Sequence, residues 1–150
     1  MIKIYLLDKK NNLKTEPHKE YVYLPNSFVE IRKESVKIYK WLKAIENRHM
    51  IENSENGIKD STKIEIVDKT KHKQRSAVFI ESICLLNYNF DKYQKQKKPR
   101  FKILFKKNKF FKKEIIEGVF LARDLVNEPL SFLTAKQLSK EIHKFSKNAG

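Results

Sequence analysis

Four carboxylates, Glu114, Glu117, Asp124 and Glu128, fall in one short stretch near the carboxyl end whose apolar spacing is helical. Paired carboxylates on a helix can share general acid and base work. A structural role is preferred here. Arg123 and Asp124 are neighbours in sequence and so point in different directions, which leaves Arg123 to pair with a residue outside this chain. Asn127, where the helical pattern stops, is expected to bond freed backbone groups, as short polar side chains do at such ends. The remaining chemistry-bearing residues are scattered. His18, His49, His72 and His143 lie in separate polar segments, whereas a metal site needs donors that converge on one ion. They are expected to be surface histidines. Cys84, the single cysteine, sits among apolar residues of a helical pattern and is expected to be a buried, inert thiol. The three glycines, Gly57, Gly118 and Gly150, do not form a phosphate-cradling loop between a strand and a helix.

The charge balance raises a second chemistry. The net charge is +15, and Lys92, Lys95, Lys97, Lys98 and Arg100 run into Lys102, Lys106, Lys107, Lys109, Lys112 and Lys113. Tyr93, Phe101, Phe105, Phe110 and Phe111 are interleaved with them. Basic groups beside aromatics can hold phosphates and stack bases, and Lys95, Lys97, Lys98, Arg100, Lys106 and Lys107 are the candidate nucleic-acid patch. The preferred reading is a solvated rim whose aromatics belong to the core. With 28 Lys against 5 Arg, the charge matches an AT-biased coding sequence. Arginine, the better reader of bases and phosphates, is scarce.

These residues need elements to position them. Ile2, Ile4 and Leu6 alternate with Lys3, Tyr5 and Leu7 as a strand does, and residues 8–12 are expected to turn. A second strand is expected over 20–24. Ser27 and Glu30 have capping-box spacing, and Ile31, Ile38, Leu42 and Ile45 mark a helix as far as Asn47. Residues 47–60 read as a loop, 63–67 as a strand with Ile64 and Ile66 on one face, and the steps Phe79, Ile83, Leu86 and Phe90 as a helix from Gln74. A basic loop from Lys92 to Arg100 precedes a strand over 101–105. The last stretch reads as a helix over 114–127, buried on more than one side and ended by Pro129. After it comes a helix opened by a Thr134/Gln137 capping box that buries Leu138, Ile142 and Phe145. Strands alternating with helices predict an α/β fold, a sheet covered by helices. The chain has room for one ordinary core, is 40% hydrophobic and 34% charged, and is expected to be cytoplasmic. Its amino end is too short an apolar run for a signal peptide, and no stretch has the length of a membrane span.

The string Leu121-Ala-Arg-Asp-Leu-Val-Asn-Glu-Pro129, followed by a helix-opening Thr134, resembles the interdomain hinge of the leucyl aminopeptidase (cytosol aminopeptidase) family. Cys84-Leu-Leu-Asn-Tyr-Asn-Phe-Asp-Lys-Tyr93 resembles that family's helix-to-loop segment upstream of the hinge. The resemblance runs from Ala77 to Phe145, with Leu130-Ser131 and Ala135 departing from the family's usual small residue, asparagine and proline. It implies a macro-domain-like mixed sheet flanked by helices over 1–110, an interdomain helix over 111–129 and the start of a catalytic domain over 130–150. The last two together form a C-terminal linker helix pair. Arg123, Asp124, Asn127, Glu128, Pro129 and Thr134 become hinge residues, and Gly118 a point of close helix packing. By the same resemblance the whole protein is a homohexameric metallo-aminopeptidase acting on peptide substrates. Its two divalent ions, zinc or manganese, are bound outside this chain, which is expected to be inactive by itself.

Overall fold

The computed structural model describes residues 1–8, 19–52, 62–95 and 100–149. All but Asp8 of the turn expected over 8–12 lies outside them, as do residues 53–60 of the loop expected over 47–60 and residues 96–99 of the basic loop. The elements are β1 (Ile2–Leu7), β2 (Lys19–Tyr23), α1 (Phe28–Glu52), β3 (Lys63–Asp68), α2 (Lys73–Leu86), β4 (Lys102–Phe105), α3 (Lys113–Asn127) and α4 (Ala135–Ala149). Their order is the expected one, and the fold is α/β. The strands lie in the order β2-β1-β3-β4, and all three pairings are parallel.

Period-two alternation decides which face of the sheet is covered. Ile2, Ile4 and Leu6 of β1, Val22 of β2 and Ile64 and Ile66 of β3 are buried, and their neighbours in each strand are not. Ile31, Ile38 and Leu42 of α1 and Phe79, Ile80 and Ile83 of α2 pack onto that face, joined by Phe101 just before β4. The opposite face carries Lys3, Tyr5 and Leu7, then Tyr21 and Tyr23, Glu65 and Val67, and Lys102 and Leu104. None of these is buried.

The carboxyl ends of β1 and β3 fix the start of α2. The Asp68 carboxylate accepts from the Thr70 amide (2.9 Å) and hydroxyl (2.7 Å), from Lys73 Nζ (3.0 Å) and from Ser76 Oγ (2.7 Å). Asp8 accepts the Lys71 amide at 2.6 Å, tying β1 to the same turn. Asn108 Nδ2 donates to Ser76 Oγ and to the Lys73 carbonyl, bringing the segment after β4 into the cluster.

Several boundaries differ from the sequence reading. The first helix does not stop at Asn47 but continues to Glu52, because no proline or glycine interrupts it before Gly57. Helix α2 stops at Leu86 although helical spacing runs on to Phe90. Asn87 takes its backbone out of the helix by donating Nδ2 to the Phe101 carbonyl (2.9 Å) and accepting the Phe101 amide (3.0 Å).

The largest correction concerns burial. Helix α3 was expected to be covered on more than one side, yet only Ile116 is buried, and Ile115 and Val126 are 53% and 85% exposed. On α4, Ile142 is 57% exposed, and Leu138 and Phe145 are only half-buried. Nothing among the described residues lies over the outer stripe of α3. Gly118 is on that stripe, and a Cβ there meets nothing within 4 Å, so it is no point of close packing within this chain. Gly118→Ala removes the backbone freedom of a glycine in mid-helix and is expected to stabilise by about 0.5–1 kcal/mol. That is roughly 2 °C in Tm, and a midpoint left unchanged or lowered in a thermal melt would contradict it.

Candidate functional site

The sequence-predicted hinge residues gather where the end of α2, the segment after it and α3 meet. Helix α2 ends with carbonyls that have no partner within the helix. Arg123 Nη1 donates to one of them, that of Leu85, at 2.7 Å, and its guanidinium lies 5.4 Å from the Tyr88 ring centre. Arg123 therefore closes an internal contact and does not reach outside the chain as expected. A cation at a helix carboxyl end also complements the helix dipole. Asp124 turns out to reach the same residue as Arg123, because its carboxylate accepts the Tyr88 hydroxyl at 2.7 Å. Desolvation and the Asp124 carboxylate together hold the Tyr88 phenol above its ordinary value.

One turn further along α3 the arrangement repeats. Glu128, its side chain only 6% exposed, accepts from Lys92 Nζ and from the Tyr93 hydroxyl, both at 2.5 Å. The bonds from Lys92 and Tyr93 hold its carboxyl below the usual range. Lys92 Nζ also sits 4.0 Å from the Phe132 ring centre, which joins the segment after α2 to the turn between α3 and α4. Asn127 Nδ2 donates to the Arg123 carbonyl at 2.7 Å and to Tyr88 Oη at 3.3 Å. Glu128 then adopts an extended backbone (φ −68°, ψ 137°) ahead of Pro129, the conformation a following proline favours. The Pro129 carbonyl accepts the Phe132 and Leu133 amides at 2.9 Å.

Thr134 caps α4, its hydroxyl accepting the Gln137 amide at 3.3 Å. The reciprocal half of the expected capping box does not form. Gln137 bonds forward to Glu141 (2.8 Å) instead of back to Thr134.

Beside these bonds lies a cleft of about 400 Å³, lined among others by Phe90, Lys92, Arg100, Asp124, Glu128 and Phe145. Asp124 and Glu128 are each engaged by a tyrosine hydroxyl, so neither is set out as a general base. The cluster is chemically suited to lock one element against another.

The candidate basic patch is divided. Arg100 precedes β4 and donates to the Asn89 carbonyl (2.5 Å), with Asp91 at 3.5 Å. Lys106 and Lys107 follow β4 and line a different cleft of about 680 Å³ at the carboxyl ends of β3 and β4. Lys95 is exposed, and Lys97 and Lys98 lie outside the described residues. Phe101 is buried, and Phe105 meets Phe111 edge to face at 4.8 Å, so these aromatics belong to the core.

Of the remaining candidates, Cys84 is half-buried, and burial pushes its thiol up to about 11. His72 caps the start of α2 through its backbone carbonyl, which accepts the Arg75 and Ser76 amides, and His143 is exposed on α4. His18 and the side chain of His49 lie outside the described residues. Among the described residues, no group of three or more His, Cys, Asp or Glu could hold a metal ion.

The comparisons with known proteins are negative. No family model matches this chain, and no curated protein or solved structure is similar to it. The partners of the hinge acids were not assigned from the sequence. The available signal was Tyr88 and Tyr93, five residues apart in one run, and Asp124 and Glu128, four apart in the other.

Proposed function

We propose that this chain is the N-terminal, non-catalytic portion of a leucyl aminopeptidase-like metallo-exopeptidase. In this reading α3 is the interdomain helix, and residues 130–150 open the catalytic domain. One observation carries it. The two runs that resemble the family, 84–93 and 121–129, lie against each other and are bonded through Tyr88 to Asp124 and through Lys92 and Tyr93 to Glu128. Residues far apart in sequence are thus held together at one place, which supports reading the pair of motifs as a joint. The bare outer stripe of α3, with Leu130 beyond it 91% exposed, is the surface against which a neighbouring domain would pack.

The two zinc or manganese ions of such an enzyme would activate the attacking water and polarise the scissile carbonyl. The described residues offer no donor set for them, so the proposal places them, the peptide site and the catalytic residues outside this chain. Assembly as a homohexamer and a cytoplasmic location are part of the same proposal. No helix among the described residues is long and apolar enough to cross a membrane.

The test is the polypeptide extended past Gly150 along its gene. It should carry a Lys/Asp/Asp/Asp/Glu ligand set and release p-nitroaniline from leucine p-nitroanilide. That activity should disappear on dialysis against a chelator, and the 150-residue chain should show none. A stop codon after Gly150, or an extended product without that ligand set, overturns the reading.

A further inference from the structure

Open α/β sheets hold their ligands in the crevice outside the carboxyl ends of the strands. In the order β2-β1-β3-β4 the direction in which strands are added switches between β1 and β3, and there Asp8 and Asp68 already lock the turn that leads into α2. The next crevice along is a cleft. Strand β3 runs on to Asp68, whereas its last pairing with β4 sets Ile66 opposite Phe105. Pairing ends there, and residues on both sides of the parting line the cleft of about 680 Å³.

The rim of this cleft is held in place. Asn108 Nδ2 donates to the Lys73 carbonyl (2.9 Å) and to Ser76 Oγ (3.1 Å), and its Oδ1 accepts the Phe110 amide (3.0 Å). Lys106, Lys107 and Lys109, which line the cleft, therefore sit on a segment pinned to the first turn of α2. Positive charge is in excess there. The lining carries four lysines and two acids, and both acids are engaged: Glu65 lies 3.2 Å from Lys3 Nζ, and Asp68 takes the fourth lysine, Lys73, at 3.0 Å. Lys109 Nζ rests 4.9 Å from the Phe110 ring centre. Among the described residues no carboxylate forms an ion pair with Lys106, Lys107 or Lys109. Val67, Leu104 and Phe105 give the same cleft an apolar wall, with Leu104 37% exposed. Ammonium groups bind phosphate as point charges, without the forked geometry by which arginine selects carboxylates. Three of them beside an apolar wall suit a compact dianion that carries an apolar body. The volume falls within the roughly 300–1,000 Å³ of small-molecule sites.

We infer that the cleft at the carboxyl ends of β3 and β4 binds a small organic phosphate, its phosphate held by Lys106, Lys107 and Lys109 and its organic body lying on Val67, Leu104 and Phe105. Lys106 and Lys107 thereby belong to a concave site and not to a strip that follows a nucleic-acid backbone. The inference does not depend on the peptidase reading.

The experiment is isothermal titration calorimetry of the 150-residue chain with phenyl phosphate, inorganic phosphate, benzoate and the single strand dT20, at low salt and about pH 8, where a phosphate monoester is doubly charged. Phenyl phosphate should bind saturably, at least tenfold more tightly than benzoate, which has the ring but a single charge, and than inorganic phosphate, which lacks the ring. Lys106→Ala with Lys107→Ala should weaken it at least tenfold. Both lysines are exposed, so this variant keeps its fold. Leu104→Ser should bring phenyl phosphate down to the level of inorganic phosphate. Lys140→Ala with Lys144→Ala, the same charge removed from exposed positions on α4, should leave binding unchanged. No saturable binding of phenyl phosphate overturns the inference, as does binding no tighter than that of benzoate or inorganic phosphate, or binding that survives loss of Lys106 and Lys107. Binding of dT20 that needs these two lysines, with phenyl phosphate ignored, overturns it in favour of a nucleic-acid backbone.

Discussion

Phe79→Ala is expected to destabilise the fold by about 3–5 kcal/mol, enough to shift the folded-to-unfolded ratio by two to three powers of ten or more. Phe79 is fully buried, sits in mid-α2 and packs in the cluster that joins α1 and α2 to β1 and β3. Truncation loses the transfer free energy of the ring and leaves a cavity between a helix layer and a sheet, neither of which can collapse freely. Urea denaturation followed by circular dichroism measures it. A loss below about 1 kcal/mol would mean that the helix layer is not seated on the sheet as described.

Asp68→Ala should come next, at about 2–3 kcal/mol, because it removes the acceptor of four bonds, leaves the Thr70 amide without its acceptor and leaves the Ser76 hydroxyl only the Lys73 carbonyl at 3.0 Å. The effect carries a pH signature. Burial alone would raise the Asp68 carboxyl, but the bonds from Thr70, Ser76 and Lys73 outweigh it and hold the group below its ordinary value. A depressed folded pKa contributes stability that is fully present above the unfolded carboxylate value, about pH 4. It is lost as pH falls through the lower folded value. The stability gap between wild type and variant should therefore be constant from pH 7 to about pH 5 and shrink on acidification toward pH 2. A gap that ignores pH would show that Asp68 acts through shape and not through its charge.

The order of elements was legible because each core segment advertises its own period. Ile2, Ile4 and Leu6 alternate as a half-covered strand must, and Ile31, Ile38 and Leu42 step as one helix face must. Coverage was less legible. Ile115 and Val126 mark α3 as apolar on its outer side, but periodicity reports only that a face is apolar and not whether anything lies over it. The destination of Arg123 was hidden for a related reason. Its acceptor, the Leu85 carbonyl, is 38 residues away and belongs to a backbone group, which no side-chain pattern records. The end of α2 was hidden too, since the side chain of Asn87 stops the helix by bonding the backbone of Phe101, 14 residues on and just ahead of β4.

Strand β1 is made first and stands between β2 and β3, whose Asp68 is its Leu6 partner. At a synthesis rate of about 5–20 residues per second, the nascent chain waits roughly 3–12 s between finishing the first strand and completing its inner neighbour. Until then, Ile2, Ile4 and Leu6 have β2 alone to pair with and no second helix to shelter them. Apolar surface left uncovered in that interval is prone to aggregate, so slow decoding ahead of Lys63 is expected to lower the yield of folded protein.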